Sequence, residues 1–591
     1  MCGIIGYVGN ENASGLLLDC LKNLEYRGYD SCGMATVFDD GLLIRKDVGR
    51  IRDVHEKLNF TELKGTIGMA HTRWATHGAV TRDNAHPHVD CTGMIAVVHN
   101  GIIENYRELK RDLLGRGHVF RSQTDTEVIP HLIEEEIENG KNYEMACASA
   151  LRKLEGIYAV LVLKKDEEKI VAARKGSPLV IGVAGDSYFA ASDIPAFLQY
   201  TKNVIYLYDH DMAVLDSKPR FFSLKNGPLE EVTRPVHTVD WTIEQVQKGN
   251  FDHFMMKEVS EQVETVQKAV NQDKGALLQV AEAIKKAKGI FLVACGSSYH
   301  ACLSASYIFA KIANTHVDVI LASEFSNYEH FLTSDTLVIA VSQSGETVDV
   351  LDAVRTARRK NSKIVCVVNV TGSSLHRSSD QALMLNTGPE ICVLSTKTYT
   401  AQLAVLSLLA YTAAHKYEEG KASLRYLWNI TYNLTSANTR NYVRQLADML
   451  KDKQHIFTIG RGLQYPTALE AALKIKEVSY IHAEGFGGGE LKHGTIALID
   501  YNTPCIVFYS AENERETILN AAEIKARGGY LIGIGPDNNE VFDFFIKVPE
   551  VGVLNSICQI IPIQILAYQL AVLRGCDPDK PRNLAKSVTV R

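Results

Sequence analysis

The 591-residue sequence contains no unbroken run of eighteen apolar residues, so it predicts no membrane-spanning helix. Its start, MCGIIGYVGN, has neither the basic segment nor the long apolar segment of a secretory signal. Its 12 cysteines include no C-x-x-C pair and no Cys/His spacing typical of a zinc site. These absences predict a cytoplasmic chain whose cysteines are free thiols.

An excess of positive charge is also missing. The chain carries 63 Lys and Arg against 69 Asp and Glu, a net charge of −6, which argues against a nucleic-acid or anionic-membrane partner. Neither a G-x-x-x-x-G-K phosphate loop nor a G-x-G-x-x-G dinucleotide fingerprint occurs. We therefore expect no cofactor.

The length predicts three or four domains, because one hydrophobic core does not grow to this size. Up to about residue 235, short apolar runs broken by Gly, Asn and Asp indicate a strand-rich domain with few helices, one of them over 128–140. After a polar linker at 238–253, long helical stretches alternate with short, fully apolar strands. Such strands predict parallel sheets covered by helices on both faces.

The second part also contains an internal repeat. IFLVACGSSYHACLSASYIFA, from Ile290, aligns without gaps on IFTIGRGLQYPTALEAALKIK, from Ile456. In both segments an apolar strand is followed by a Gly, a Tyr and an Ala-rich helix. The shared order favours two copies of one α/β domain over a chance likeness.

Cys2 directly follows the initiator Met, whose removal would leave a cysteine with a free α-amino group. That residue would carry a nucleophile and a base together. Three further segments fit the same chemistry. Arg73 in HTRWATHG suits a carboxylate, Asn100-Gly101 in HNGIIENY suits an oxyanion, and Asp125 in SQTDTEV suits an ammonium group. Taken singly, each has a plain structural reading as an ion pair, a tight turn or a helix cap.

Taken together, MCGIIGYVG, LEYRGYDSCG, HTRWATHG, HNGIIENY and TDTEV resemble the class II glutamine amidotransferases, the Ntn-hydrolase family with an N-terminal cysteine. The resemblance implies an α+β fold, an αββα sandwich, with Cys2 as nucleophile and Asn100 and Gly101 as oxyanion hole. It implies that Arg73 holds the α-carboxylate of glutamine, that Asp125 holds the α-amino group, and that Trp74 gates an ammonia channel. The glutamine-binding residues it implies are Arg73, Trp74, Thr76, His77, His86 and Asp125.

Four histidines lie close together in this part of the sequence: His71, His77, His86 and His88. The loop around Pro87 gives them no fixed ligand geometry, and no thiolate lies among them. We therefore expect no metal there.

In the second part, an apolar strand over 336–341 runs directly into Ser342-Gln343-Ser344-Gly345-Glu346-Thr347 and then into a helix. Hydroxyl donors, free backbone N–H groups and the helix dipole would converge on one phosphate. The alternative is a helix cap without a ligand. Cys295-Gly296-Ser297-Ser298 is the equivalent turn of an earlier strand.

Further on, Lys474 and Glu477 lie three residues apart on a predicted helix, where they would by themselves make an ordinary ion pair. The segments GELKHGT, with His493, and PRNLAKSVTVR, with Lys586, add other titratable groups. Moving a proton between C1 and C2 of a sugar needs a base, and opening the ring needs a second group. Glu477, His493 and Lys586 are of suitable types.

SQSGET, LSTKTYT, LKIKEVSYIHAE, GELKHG and PRNLAKSVTV resemble the sugar isomerase (SIS) half of enzymes that join such a half to a class II glutaminase. The resemblance implies Glu477 as the C1/C2 base, His493 as the ring-opening group and Lys586 as the imine-forming amine. It implies L-glutamine and D-fructose 6-phosphate as substrates, ammonia passed between two sites, and a homodimer. The sugar-phosphate-binding residues it implies are Ser297, Ser298, Ser342, Gln343, Ser344, Thr347, Val393, Ser395 and Lys474.

The resulting domain assignment is a glutaminase over 2–237, a linker over 238–253, SIS domains over 254–430 and 431–580, and a tail over 581–591. The sequence departs from the family pattern at Gln123, at Thr495, at Arg591 and in a Gly-rich segment over 485–489, which we expect to be mobile. Two other functions stay open: an amidotransferase with a different acceptor, and a sugar-phosphate sensor without catalysis.

Overall fold

The computed structural model describes residues 2–39, 41–225 and 227–589, so Arg591 lies outside the described residues. The chain divides into two compact units. The first contains the residues up to Gln247 together with the terminal segment from Ala585, and the second runs from Lys248 to Leu584.

The first unit consists mainly of antiparallel strands. Its strands are β1 Gly3–Val8, β2 Ser31–Phe38, β3 Gly41–Val48, β4 Ile67–Arg73, β5 His88–Val89, β6 Ile95–Ile103, β7 Gly156–Lys164, β8 Ile170–Lys175, β9 Val180–Ala184, β10 Ser187–Ala191, β11 Asn203–Tyr206, β12 Asp211–Leu215, β13 Arg220–Ser223, β14 Glu230–Glu231 and β15 His237–Thr238. Its helices are α1 Ala13–Lys22, α2 Ile51–Leu58, α3 Tyr106–Gly115, α4 Val128–Glu138 and α5 Tyr143–Arg152.

These strands form an eight-stranded sheet, in the order β15-β11-β9-β10-β1-β4-β2-β3, and a seven-stranded sheet, in the order β14-β13-β12-β8-β7-β6-β5. Because side chains alternate along a strand, β1 contributes to two cores. Ile4 packs between the sheets with Leu161 of β7, whereas Ile5 packs on the other face with Leu17 of α1. Helices α4 and α5 cover the outer face of the seven-stranded sheet. This is the predicted αββα sandwich.

The second unit alternates helices with parallel strands. Its strands are β16 Gly289–Ala294, β17 Asp318–Leu321, β18 Thr336–Ser342, β19 Lys363–Val368, β20 Gln381–Met384, β21 His455–Gly460, β22 His482–Gly487, β23 Pro504–Phe508, β24 Tyr530–Gly535 and β25 Phe544–Lys547. Its helices are α6 Phe254–Val270, α7 Lys274–Lys286, α8 Gly296–Ala313, α9 Val348–Arg359, α10 Ser374–Ser378, α11 Lys397–Ala413, α12 Tyr417–Leu434, α13 Ala437–Leu450, α14 Gln464–Ser479, α15 Glu514–Lys525 and α16 Asn555–Leu573.

The two five-stranded sheets of this unit have the same strand order, β17-β16-β18-β19-β20 and β22-β21-β23-β24-β25, and all their pairings are parallel. The segments that align from Ile290 and Ile456 form equivalent strands followed by equivalent helices, α8 and α14. The repeat read from the sequence is therefore a repeat of the fold. In each sheet the strand order reverses beside the first strand of the copy, which is where open α/β sheets bind ligands.

One helical segment, Gly552–Leu573, is long and apolar enough to cross a membrane, with a mean hydropathy of 1.7. Its apolar run is interrupted by Asn, Ser and Gln, and the sequence therefore contains no unbroken apolar stretch of eighteen residues there. Inside the structure 83% of its most apolar window is buried, and Ile561 and Leu566 belong to the main core of the second unit. The segment is therefore a buried core helix of the second unit.

Two observations bear on the domain limits, which remain a prediction. Val239, Trp241 and Val246, from the polar segment 238–253, pack against the core beneath α1. Helix α12 runs through the limit proposed between residues 430 and 431.

Candidate active sites

Cys2 immediately precedes β1, which hydrogen-bonds to β10 on one side and β4 on the other. Its sulfur lies 3.2 Å from the backbone nitrogen of Trp74 and 3.4 Å from the carbonyl oxygen of the same residue. Its own carbonyl accepts hydrogen bonds from Arg27 Nε, at 3.2 Å, and from Asn100 Nδ2, at 2.9 Å. The predicted nucleophile is therefore held at its sulfur by the Trp74 backbone and at its carbonyl by the Arg27 and Asn100 side chains.

Burial raises the pKa of the Cys2 thiol above its usual value, and the Trp74 N–H and Arg73 only partly oppose this effect. A thiol with a raised pKa is mostly protonated at neutral pH, and the thiolate is the nucleophile. A base must therefore take the proton as the sulfur attacks. A free α-amino group on Cys2 itself has a pKa suited to that task.

Arg73, at the end of β4, is held in place by the loop that follows it. Its guanidinium donates to the carbonyls of Ala79, at 3.3 Å, and Gly78, at 3.4 Å. In that loop Thr76 is exposed, and the ring of His77 packs edge-on against Tyr106 at 5.6 Å. These contacts set the position of a buried cation of the type that binds a carboxylate.

Asn100 and Gly101 lie within β6. Gly101 has φ +136°, and a Cβ there would lie 1.9 Å from the carbonyl oxygen of Ile157, so only glycine fits. Asn100 Oδ1 lies 3.2 Å from His71 Nε2, which also lies 3.1 Å from the carbonyl oxygen of His99. Since both partners are acceptors, Nε2 carries the proton, and the amide nitrogen of Asn100 faces Cys2.

Asp125 is buried just before α4, and its Oδ2 accepts the N–H of Ile103 at 2.8 Å. Gln123, where the family pattern has Glu, joins this segment to the loop after β4. Its N–H donates to Asn84 Oδ1 at 2.9 Å, and its Oε1 lies 3.5 Å from the N–H of Ala79. Gln123 therefore links the segment before α4 to the loop after β4 without adding charge.

The predicted binding residue His86 is part of a buried histidine layer behind Asn100. Its ring stacks on that of His71, with centroids 4.0 Å apart, and its Nδ1 accepts the N–H of His99 at 3.2 Å. Burial lowers the pKa of His71 to about 3 and the pKa of His86 and His88 well below the usual value. These rings are therefore neutral at physiological pH, so they contribute packing but no positive charge to the site.

In the second unit, the turn after β18 has the form expected of an anion site. Ser342 Oγ accepts the N–H of Gly345 at 3.1 Å and lies 3.3 Å from Thr347 Oγ1, and Ser344 Oγ accepts the N–H of Glu346 at 3.2 Å. Gly345 has φ +67°, and a Cβ there would meet Ser373 Oγ at 2.2 Å. The turn carries Gln343 as well and leads into α9 at Val348.

Other predicted sugar contacts lie at neighbouring helix starts. Ser297 and Ser298 form the first turn of α8, directly after β16, and Ser298 Oγ accepts from Gln402 of α11 at 2.9 Å. Ser395 Oγ lies 2.8 Å from Thr398 Oγ1 just before α11, and the Val393 N–H donates to Asp579 at 3.1 Å. Because β16 and β18 are adjacent, the first turn of α8 and the Ser342–Thr347 turn lie side by side at the carboxyl edge of the sheet.

Lys474 and Glu477 form part of a larger buried ion cluster. Lys474 Nζ lies 2.7 Å from Glu477 Oε2 and 3.5 Å from Glu470 Oε1, and Glu470 Oε2 lies 2.8 Å from His300 Nδ1. Burial alone would lower the pKa of Lys474, but Glu470, Glu477 and Glu390 outweigh it and raise that pKa above 10.5. The lysine is therefore charged throughout the neutral range.

Glu470, Glu390 and His300 are additional site residues that the sequence analysis did not name. Glu470 could have been found, because it lies one turn before Lys474 on the same helix face. Glu390 accepts the N–H groups of Thr396 and Thr398, at 2.9 and 3.1 Å, and so fixes the segment that carries Ser395. Its sequence position gives no hint of this role.

His493 and Lys586, the other two predicted catalytic residues of this half, lie on other segments of the chain. His493 ends an exposed 3₁₀ turn, Gly488–His493, that follows β22. Gly485–Gly487 belong to β22 rather than to a loop, and a Cβ on Gly485 would lie 2.6 Å from the carbonyl oxygen of Ala468. Lys586 lies in the terminal segment grouped with the first unit, while Arg582 in the second unit lies over the Tyr480 ring at 4.2 Å.

The fold and these sites define a glutamine amidotransferase joined to a doubled sugar-phosphate isomerase. A glutamine amidotransferase domain model matches residues 71–199, and a SIS domain model matches 283–412 and 449–574. The chain is 47% identical to the glutamine–fructose-6-phosphate aminotransferase (isomerizing) of Thermococcus kodakarensis and 45% identical to that of Methanothermobacter thermautotrophicus. Both matches span 100% of each chain.

Among solved structures, the chain resembles the C-terminal domain of glucosamine-fructose-6-phosphate aminotransferase from Francisella tularensis, with a TM-score of 0.52 and 34% identity over 56% of this chain and 99% of that one. The chain belongs to the family of isomerizing glutamine–fructose-6-phosphate aminotransferases. The family resemblance read from the motifs is thereby confirmed.

The neutral His71 predicts acid sensitivity of the first unit. Its pKa is near 3 in the folded chain and 6.5 in the unfolded chain, so the unfolded state binds the extra proton between these values. Its contribution is therefore complete above about pH 6.5 and is lost by about 1.4 kcal/mol per pH unit below it. We expect His71→Gln to be less stable at neutral pH but to lose less stability between about pH 7 and pH 5.

Thermal melting of the full chain across this pH range measures the effect. The exposed residue His237 provides the matched control, since His237→Gln should leave the acid dependence unchanged. An acid dependence identical in parent and His71→Gln would show that His71 does not titrate on unfolding.

The buried cluster predicts an asymmetry between two lysines of α14. Lys474→Met leaves the fully buried Glu470 without its cation, which should cost about 3–5 kcal/mol. Lys476→Met, two residues along the helix, removes an exposed charge and should change the stability by no more than about 0.5 kcal/mol. Urea unfolding of both variants is the measurement; equal midpoints would refute the role given to Lys474.

Proposed function

We propose that this protein converts L-glutamine and D-fructose 6-phosphate into L-glutamate and D-glucosamine 6-phosphate. The placement of Cys2 beside Asn100, with the thiol held against the Trp74 backbone, is the single observation that carries the glutaminase half. The Ser342–Thr347 turn at the switch point of a parallel sheet supports a phosphosugar as the acceptor.

In the glutaminase half, the Cys2 sulfur attacks the side-chain amide carbon of glutamine, and its proton passes through the α-amino group to the leaving nitrogen. The Asn100 amide and the Gly101 N–H stabilise the oxyanion. Ammonia leaves, and water then cleaves the thioester to release glutamate. Arg73 and Asp125 would hold the α-carboxylate and α-amino group, so that the amide carbon meets the sulfur.

In the isomerase half, His493 opens the sugar ring, and Lys586 condenses with the C2 carbonyl and releases water. Ammonia displaces the lysine to leave an imine on C2. Glu477 takes a proton from C1 and returns one to C2, which gives the 2-amino aldose. Lys474, charged and buried, holds the Glu477 carboxylate in an ion pair at 2.7 Å and so fixes the position of the proposed base.

A cytoplasmic location and a homodimer are part of the same proposal. The resemblance of the motifs to the family supports them. The aromatic pair Trp428 and Tyr432 on α12, stacked at 5.6 Å and substantially exposed, is a surface that a second copy would cover.

The function predicts separable losses in two variants. Cys2→Ala should lose at least about 10³-fold in glutamine hydrolysis and in glutamine-dependent glucosamine 6-phosphate formation, because the nucleophile is gone. Glu477→Gln should lose aminosugar formation but keep glutamine hydrolysis. The half-buried, unassigned Cys576 provides a control, since Cys576→Ser should retain both activities.

Both activities are to be measured on one preparation, with and without fructose 6-phosphate, after the free Cys2 terminus has been verified. Glutamine hydrolysis without amination of fructose 6-phosphate would overturn the acceptor assignment and call for other ketose phosphates. Absence of both activities would overturn the enzymatic function and favour a sugar-phosphate sensor.

A further inference from the structure

A second cluster of titratable side chains lies in the first unit, outside the residues assigned to glutamine chemistry. Cys91 follows β5, His118 follows α3, and His131 and Glu134 lie one turn apart on α4. Their candidate ligand atoms all lie within 4.8 Å of one another. Segments distant in sequence thus bring together one sulfur, two imidazoles and one carboxylate.

Four of the six separations between these atoms are close to those of a tetrahedral metal site. Cys91 Sγ lies 3.5 Å from His118 Nδ1 and 3.5 Å from His131 Nδ1. Glu134 Oε2 lies 3.0 Å from His118 Nδ1 and 3.2 Å from His131 Nδ1. With zinc bond lengths of about 2.3 Å to sulfur and about 2.0–2.1 Å to nitrogen and oxygen, a regular tetrahedron has S···N edges of about 3.5 Å and N···O edges of about 3.3 Å.

The cluster is closed to solvent on most sides. The side chains of His131, Glu134 and His118 are 0%, 6% and 8% exposed. Four protein ligands without an open position are the mark of a structural rather than a catalytic zinc site. The mixture of one thiolate, two imidazoles and one carboxylate suits Zn²⁺ better than Mg²⁺ or Ca²⁺, which prefer oxygen alone.

Contacts around the cluster link it to the glutamine-binding segment. His131 Nε2, on the far side of the ring from the cluster, lies 3.9 Å from Glu127 Oε1, beyond hydrogen-bond distance, and has no other hydrogen-bond partner among the described residues. Glu127 accepts the N–H groups of Arg121 and Ser122, each at 2.7 Å. A carboxylate behind a metal-bound imidazole is the usual outer support of such sites. Here the same carboxylate holds the backbone three residues before Asp125.

We propose that Cys91, His118, His131 and Glu134 bind one structural Zn²⁺ per chain. The ion ties the segment after β5 and the segment after α3 to helix α4, and so fixes the stretch from Ser122 to Asp125. This assignment does not depend on the acceptor sugar or on the chemistry at Cys2. Without metal, the alternative is a hydrogen-bonded network in which Glu134 Oε2 accepts from both imidazoles and from the Cys91 N–H, at 3.2 Å.

Metal content of the full chain tests the proposal. The protein is to be expressed without a polyhistidine tag and with Cys2→Ala, so that the active-site thiol cannot bind metal, and washed with a weak chelator. Elemental analysis should find about one zinc per chain. Replacement with Co²⁺ should give a thiolate-to-cobalt charge-transfer band and the intense visible bands of tetrahedral cobalt.

Variants locate the ion. Cys91→Ser and His131→Gln should each lose the bound zinc, and Cys91→Ser should also lose the thiolate-to-cobalt band. Two control variants should keep both the zinc and the thiolate-to-cobalt band: Cys576→Ser and His237→Gln. They change one half-buried cysteine and one exposed histidine elsewhere in the chain. Zinc removal by a strong chelator should lower the melting temperature of the parent but not that of Cys91→Ser.

Two results would overturn the proposal. One is a parent chain that carries no zinc and gives no thiolate-to-cobalt band, which would establish the metal-free network. The other is a Cys91→Ser chain that retains the zinc of the parent, which would place the ion elsewhere. Both results are read from the metal content or the cobalt spectrum, so neither depends on catalytic activity.

Discussion

The glutaminase unit depends on the hydrogen-bonded position of one strand. β1 lies within an eight-stranded sheet, bonded to β10 on one side and β4 on the other, and Cys2 is the residue just before it. Since β4 ends at Arg73, the same pairing that fixes the sulfur also fixes the cation proposed for glutamine. The other proposed groups lie on short loops and on β6 of the facing seven-stranded sheet. A nucleophile at the end of a central strand cannot shift without breaking the sheet, and this makes the site preorganised.

The isomerase half follows a different constraint, which is the direction of parallel strands. All strands of each five-stranded sheet end at one edge, so helix starts carrying Ser298 and Ser342–Thr347 collect there. In the second copy of the fold, α14 uses its buried face for ions: Lys474 lies among Glu470 and Glu477, and Glu470 reaches His300 of the first copy. A buried cation with this many carboxylates costs desolvation energy, which apolar packing would avoid. The position of Lys474 beside the proposed base Glu477 is therefore better explained by function than by stability.

Much of the fold and the family could be predicted from the sequence. The features that could not be predicted have identifiable physical causes. The apolar strand predicted over 336–341 lies at Thr336–Ser342, because a strand buried on both faces needs uninterrupted apolar residues. The ordered motifs identified the family. The Cys91 cluster left no local signal, because it depends on contacts between segments distant in sequence. Glu390 lies only six residues before Thr396, but no motif marks the role of its carboxylate. The glycine at 485 was read as a source of mobility, but it permits close approach between β22 and α14. The site roles, and the domain limits, remain predictions.

If ammonia passes between the two sites, as the family resemblance implies, nitrogen released at Cys2 reaches the sugar without mixing with solvent ammonia. The most direct measurement supplies glutamine labelled with ¹⁵N in its side-chain amide, together with unlabelled ammonium in excess, and determines the isotope in the aminosugar phosphate by mass spectrometry. Passage of ammonia between the sites predicts a product that carries ¹⁵N almost completely at every ammonium concentration. A product whose label falls in proportion to the added ammonium would contradict it, because the two sites would then share only the bulk solvent.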